Sequence, residues 1–271
     1  MRGRGSLFWG ILILLAGILL LANNFVRIDV WNILWPVAII LIGGWLLLRP
    51  RWRQGSLETQ NVMVPLESAS DVDLHLYHGA GRLSVRSTLN TTSGPSASTP
   101  GTLVSGTCVG GADVNVSKSG PSTRVDLRSR AGDAWFNNPG PFGFAWDLSV
   151  TPEVPLRLTV ETGASETNLD LRDLKVTDVQ LKTGASSSNV TLPANAGMTR
   201  VKISSGAASV KLFVPPQVAA HIAVQSGLAG IHIDPNRFPA AAGGYETPGY
   251  DSAANRADIF IETGVGSVDV M

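Results

Sequence analysis

Four glycines, Gly163, Gly184, Gly206 and Gly227, lie 21, 22 and 21 residues apart, each at the centre of the same short pattern. The copies are LTVETGASETNLDL (158–171), VQLKTGASSSNVTLP (179–193), VKISSGAASVKLFVP (201–215) and IAVQSGLAGIHID (222–234). A further copy, IFIETGVGSVDV (259–270), centres on Gly264, and LHLYHGAGRLSV (74–85) precedes them all. On either side of each glycine, apolar and polar residues alternate with the period of two that marks a half-buried strand. Each copy therefore predicts a strand, a corner of glycine plus small residues, and a second strand. Glycine suits such a corner because it has no Cβ to obstruct a neighbouring backbone. One copy cannot bury its apolar face alone, whereas stacked copies share one continuous interior. The expected body is an all-β solenoid or roll with repeats of about 21 residues, the fixed period weighing against an ordinary β-sandwich.

Three stretches interrupt the pattern. Residues 88–102 are rich in Ser, Thr, Pro and Gly and predict a loop. Residues 131–146 predict a second loop that gathers Trp135, Phe136, Phe142, Phe144 and Trp146. Residues 237–255 form a third, which lengthens the interval before the final copy.

Ahead of the repeats stand two apolar runs, LFWGILILLAGILLLA (7–22) and VWNILWPVAIILIGGWLLL (30–48). A membrane-spanning helix needs roughly 20 mainly apolar residues. The runs therefore predict a two-helix transmembrane hairpin, with helices at about 7–25 and 30–48 inside an anchor of residues 1–53. Trp9, Trp31, Trp35 and Trp45 suit the membrane boundary, and Gly17, Gly43 and Gly44 allow close helix approach. A cleaved signal peptide is the competing reading, but no small-residue cleavage site follows the first run.

The formal charge of zero conceals two opposite parts. Residues 1–53 hold six arginines against Asp29, a net +5, and residues 54–271 carry −5. Arg2 and Arg4 on one flank and Arg49, Arg51 and Arg53 on the other outnumber Arg27 in the intervening loop. The positive-inside bias then puts both termini, and the body, on the cytoplasmic side. With no clustered basic face in the body, nucleic-acid binding is not expected.

The hairpin segments 7–24 and 31–49, followed by the TGAS-type repeats, resemble the LiaI/LiaF-type proteins of the bacterial cell-envelope stress response. The body, from PLRLTVETGASETNLDLRDLKVTDVQLKTGASSSNVTLP to IFIETGVGSVDV, is similar to their adhesin-like "toastrack" C-terminal domain. That resemblance covers the hairpin and residues 146–271 well, and residues 54–145 loosely. It implies a membrane-bound modulator of a sensor-kinase pathway responding to cell-wall damage, with no catalytic residues to carry over.

The residues themselves offer little chemistry. His75 and His78 are an odd number apart, hence on opposite faces of a strand, and His221 and His232 lack nearby ligand partners, so no metal site is expected. The acid pairs Asp170/Asp173 and Glu161/Glu166 alternate with apolar residues beside corners, as solvated positions do. A glycosidase dyad would need two carboxylates facing one cleft. Cys108, the single cysteine, predicts a buried apolar residue. No catalytic residue, cofactor or enzyme activity is expected. The candidate contacts are the five aromatics of 131–146 and the edge of the last strand, Ile259 to Val270. The expected partners are the lipid bilayer, a membrane sensor kinase or other membrane protein, and a second copy of the chain. The expected role is a non-enzymatic, membrane-anchored regulator of envelope-stress signalling. The alternative is a scaffold or adhesin-like surface module that self-assembles through the solenoid ends.

Overall fold

A computed structural model describes residues 59–67, 69–90, 101–130 and 144–271, together with Ile39. The predicted hairpin falls outside the described residues, among which no helix is long and apolar enough to cross a membrane. The chain divides into two units, Met1–Arg53 and Gln54–Met271, and all the strands belong to the second.

In chain order the strands are β1 (Thr59–Pro65), β2 (Asp71–Ser87), β3 (Thr102–Val109), β4 (Ala112–Ser119), β5 (Ser122–Ser129) and β6 (Ala145–Val150). There follow β7 (Leu156–Asp170), β8 (Val176–Thr191), β9 (Met198–Phe213), β10 (Ala219–Ile233), β11 (Ala240–Ala241), β12 (Gly244–Glu246) and β13 (Arg256–Val270). The six long strands pair in parallel in the order β2, β7, β8, β9, β13, β10, so the body is a β-solenoid-like roll.

Each long strand is one rung with a bend at its middle, and β7 shows why it bends. Its buried positions are Leu156, Leu158, Val160 and Thr162 before the corner, then Ser165, Thr167 and Leu169, with Leu171 continuing the set just past its end. Gly163 and Ala164 both face outward, so the inward set switches from even to odd numbers. Two successive outward residues are impossible in a flat strand, where side chains alternate. The chain turns there, and the two arms enclose the apolar interior between them.

The corners stack backbone upon backbone. A Cβ on Gly163 would lie 2.6 Å from the Gly79 carbonyl oxygen, and one on Gly184 2.8 Å from that of Gly163. The same relation links Gly206 to Gly184 at 3.0 Å, Gly264 to Gly206 at 2.6 Å and Gly227 to Gly264 at 2.8 Å. Gly79, which begins the column, would meet nothing within 4 Å. Gly184→Ala is accordingly expected to cost about 2 kcal/mol, in the range for overpacking against atoms that cannot retreat. Gly79→Ala should cost under about 0.5 kcal/mol, as exposed substitutions do. Urea unfolding of the two variants checks this, and equal losses would contradict a steric origin.

Two short strands complete the roll on the β2 side. β5 lies parallel to residues 71–77 of β2, and β6 lies parallel to residues 82–87. Together they occupy the place of one further rung, interrupted at its corner by residues 130–144. The antiparallel strands extend each arm: β4 pairs with β5, and β3 joins β6 to β1.

The structure corrects several expectations. The loop predicted at 131–146 ends earlier, because Ala145 and Trp146 already belong to β6, drawn in by the alternation Trp146, Leu148, Val150. Residues 237–255 are not a plain loop; they hold β11, β12 and a turn of 3-10 helix at Tyr250–Ser252, with Phe238 fully buried beneath. A second 3-10 turn, Thr88–Asn90, opens the loop at 88–102, and Thr102 begins β3. The last strand is not the open edge: β13 is inserted between β9 and β10. It can occupy an interior place because Ile259, Ile261, Val268 and Val270 fill the inner face of both arms.

Candidate interaction surface

With β13 inside, the free edge falls to β10. Its first arm is partly covered, since β12 pairs with His221 and Ile222. Among the described residues, nothing pairs with the outer edge of Ala223–Ile233. The second arm also exposes apolar side chains: Leu228 is 83% accessible, Ile231 37%, and Val265 on the adjoining strand 53%. An exposed edge offers unpaired N–H and C=O groups to another chain, and natural edges are usually guarded by charge or proline. From Ser226 to Ile233 there is neither.

The exposed residues have different origins. Leu228 stands in register with Val265 and, through the intervening strands, with Ala207, Ala185 and Ala164 on the outer ridge of the corners. Ile231 belongs to the inner face, in register with the buried Val268. It is exposed because no further rung covers it. The sequence signal was available at Leu228: a large apolar residue stands where β7, β8 and β9 carry alanine.

At the opposite end, the interrupted rung leaves an open hollow of about 780 Å³ beside the corner of β2. Tyr77, His78, Glu161, Thr162, Arg128 and Phe144 help to line it. His78 is 1% accessible, and its ring centre lies 5.0 Å from that of Trp146. Among the described residues, neither of its ring nitrogens has a hydrogen-bond partner, and the same holds for the Trp146 Nε1 and the Thr162 and Thr183 hydroxyls. Burial lowers the His78 pKa to about 4, so its ring is neutral at pH 7. Arg128 stacks over Tyr77 at 4.4 Å on the rim.

The predicted aromatic contact set divides. Phe144 and Trp146 are 3% and 1% accessible and belong to the interior, not to a contact surface, because they fill space around the interrupted corner. Trp135, Phe136 and Phe142 fall outside the described residues.

The titratable groups singled out in the sequence do not converge. His75 faces outward, within 3.1 Å of Asp73, while His78 faces inward. His221 lies 3.3 Å from Asp258, and His232 3.9 Å from Asp269. Glu161 accepts a hydrogen bond from Lys182 at 2.9 Å, which raises the lysine pKa. Glu166 accepts one from Arg82 at 3.1 Å, and Asp170 one from the Arg172 backbone N–H at 3.3 Å. The first two tie neighbouring strands together, the Asp170 bond is local to a turn, and of the pair Glu161 and Glu166 only Glu161 lines the hollow. Burial raises the Cys108 thiol to about 12, which leaves it unreactive. No group of three or more His, Cys, Asp or Glu suited to a metal ion gathers among the described residues.

The family model described as "N-terminal domain of toast_rack, DUF2154" matches residues 53–213. Among solved structures, the chain is similar to one described as a "putative cell adhesion protein" from Clostridium sporogenes ATCC 15579. The likeness has a TM-score of 0.67 at 16% identity and covers 79% of this chain and 98% of that one, which shows a shared fold. No curated protein matches the chain.

Proposed function

This chain belongs to the toast-rack family, and on that premise we propose that it is a non-enzymatic interaction module acting through protein–protein contacts at the free arm of β10. The hairpin of residues 1–53 anchors it to a bacterial membrane, with the body on the cytoplasmic face. There the assembled module regulates envelope-stress signalling and engages a membrane protein such as a sensor kinase. The single supporting observation is an apolar sheet edge that lacks both a covering strand and protective charge.

The test is complementation. Cells lacking the chain should show an altered transcriptional response to a cell-wall antibiotic, restored by the wild type. Ile231→Lys puts a charge on the inner side of the edge and should restore under a tenth of that effect while reaching wild-type abundance. Full restoration would remove the edge from the mechanism.

A second reading, an adhesin-like surface module, is favoured by the fold shared with the protein from Clostridium sporogenes. It requires the body outside the cell. Labelling of Ser96→Cys by an impermeant reagent in intact cells, with Cys108 removed, would select it over the first.

A further inference from the structure

We infer that the occupant of the free β10 arm is the same arm of a second copy, running antiparallel about a two-fold axis at Gly230. This inference rests on the reading of the β10 edge as a contact surface and specifies its partner.

The facing rule of strands supports it. Ala229, Ile231 and Ile233 continue the inner columns of Gly266, Val268 and Val270. Opposed residues in an antiparallel pair point to the same side, so odd positions must meet odd ones if the inner face is to stay inner. An axis at Gly230 sets Ala229 against the second copy's Ile231, and Ile233 against Gly227. The exposed Ile231 of each copy is then covered, and the two apolar interiors join. On the outer side Leu228 meets His232, and Gly230 meets itself with open space above it, since a Cβ there would touch nothing within 4 Å. Pairing stops near Gly227 because the inward set changes parity at the corner. That leaves His221 and Ile222 to β12.

Charge points to the same occupant. Residues 226–233 contain no Asp, Glu, Lys, Arg or Pro, so a two-fold approach opposes no fixed like charges. The other strand edges among the described residues suit β10 less well. β1 ends on Pro65, which has no N–H, β4 carries Asp113, held by Arg130, and Lys118, held by Glu67, and β11 is only two residues long. Self-pairing at β10 therefore closes as a dimer and does not propagate into a filament.

The experiment uses the full chain in membranes with Cys108→Ala, oxidised by copper phenanthroline. In Gly230→Cys the two cysteines face each other within the Cα separation of about 4.4–6.8 Å that a disulfide tolerates. In Leu228→Cys they are four residues out of register, about 13 Å apart along the strand. Gly230→Cys should give at least ten times as much double-mass product as Leu228→Cys. Equal yields, or none at Gly230→Cys in a chain that retains its β-sheet circular dichroism, overturn the pairing. Should Gly230→Cys misfold, light scattering of the unaltered chain decides: a dimer is expected, and a monomer overturns the inference. The complementation test separates the two ideas. A monomeric chain whose Ile231→Lys variant loses the stress response refutes self-pairing and leaves the contact surface standing. A dimeric chain whose Ile231→Lys variant keeps the response supports self-pairing and refutes the regulatory role of the edge.

Discussion

Trp146→Ala is expected to lower the unfolding free energy by about 3–5 kcal/mol, the range for removing a buried aromatic ring. Trp146 is 1% accessible and sits in β6, opposite Leu83 of β2 on one side and Cys108 of β3 on the other. It therefore joins the parallel rungs to the antiparallel extension formed by β6, β3 and β1. Its removal also uncovers the ring of His78, 5.0 Å away, whose nitrogens have no hydrogen-bond partner among the described residues. Trp146→Phe should cost less than half as much, because it keeps most of the volume and discards an indole N–H that has no acceptor. Urea unfolding followed by far-ultraviolet circular dichroism measures both. A loss below about 1 kcal/mol for the alanine variant would contradict the position assigned to this ring.

The second large effect is a loss of stability in acid. His78 has a folded pKa of about 4 against an ordinary 6.5, lowered by burial. Between these values the unfolded chain binds a proton that the folded chain refuses, so stability falls as pH drops. The contribution is complete above pH 6.5 and declines by about 1.4 kcal/mol per pH unit towards pH 4. The loss totals about 3 kcal/mol and levels off below that pH. Carboxylates titrate at the lower end of the same window, so the comparison that isolates this group is with His78→Phe. The variant should show a slope between pH 6.5 and 4.5 shallower by about 1 kcal/mol per unit. Parallel curves for wild type and variant would show that the imidazole reaches a proton acceptor after all.

The rungs were legible in the sequence because a corner must recur wherever the chain turns, and few residues other than glycine fit a carbonyl oxygen under 3.0 Å from a Cβ position. The interrupted rung was not. Fifteen residues, 130–144, separate β5 from β6 where the other rungs have a short glycine corner, so Leu127 and Trp146 read as parts of unrelated segments. The strand order was equally hidden. In-register parallel strands share one pattern of inward and outward residues, and alternation cannot say which of β10 and β13 lies next to β9. The identity of the free edge follows from that order, and Leu228 and Ile231 gain their meaning only with it. Phe144 and Trp146 were grouped by composition as loop aromatics, although the alternation Trp146, Leu148, Val150 already carried the strand period.

The placement of β13 also constrains the birth of the molecule. β9 and β10 emerge from the ribosome before Arg256–Val270, and both are complementary in register to the same final strand. Until synthesis reaches Val270, the vacant edge of β9 faces a nascent β10 with the same bend and the same spacing of inward residues. The finished roll holds the fifteen-residue strand β13 between these two. The native neighbours of β9 and β10 can therefore form only once Arg256–Val270 has been made.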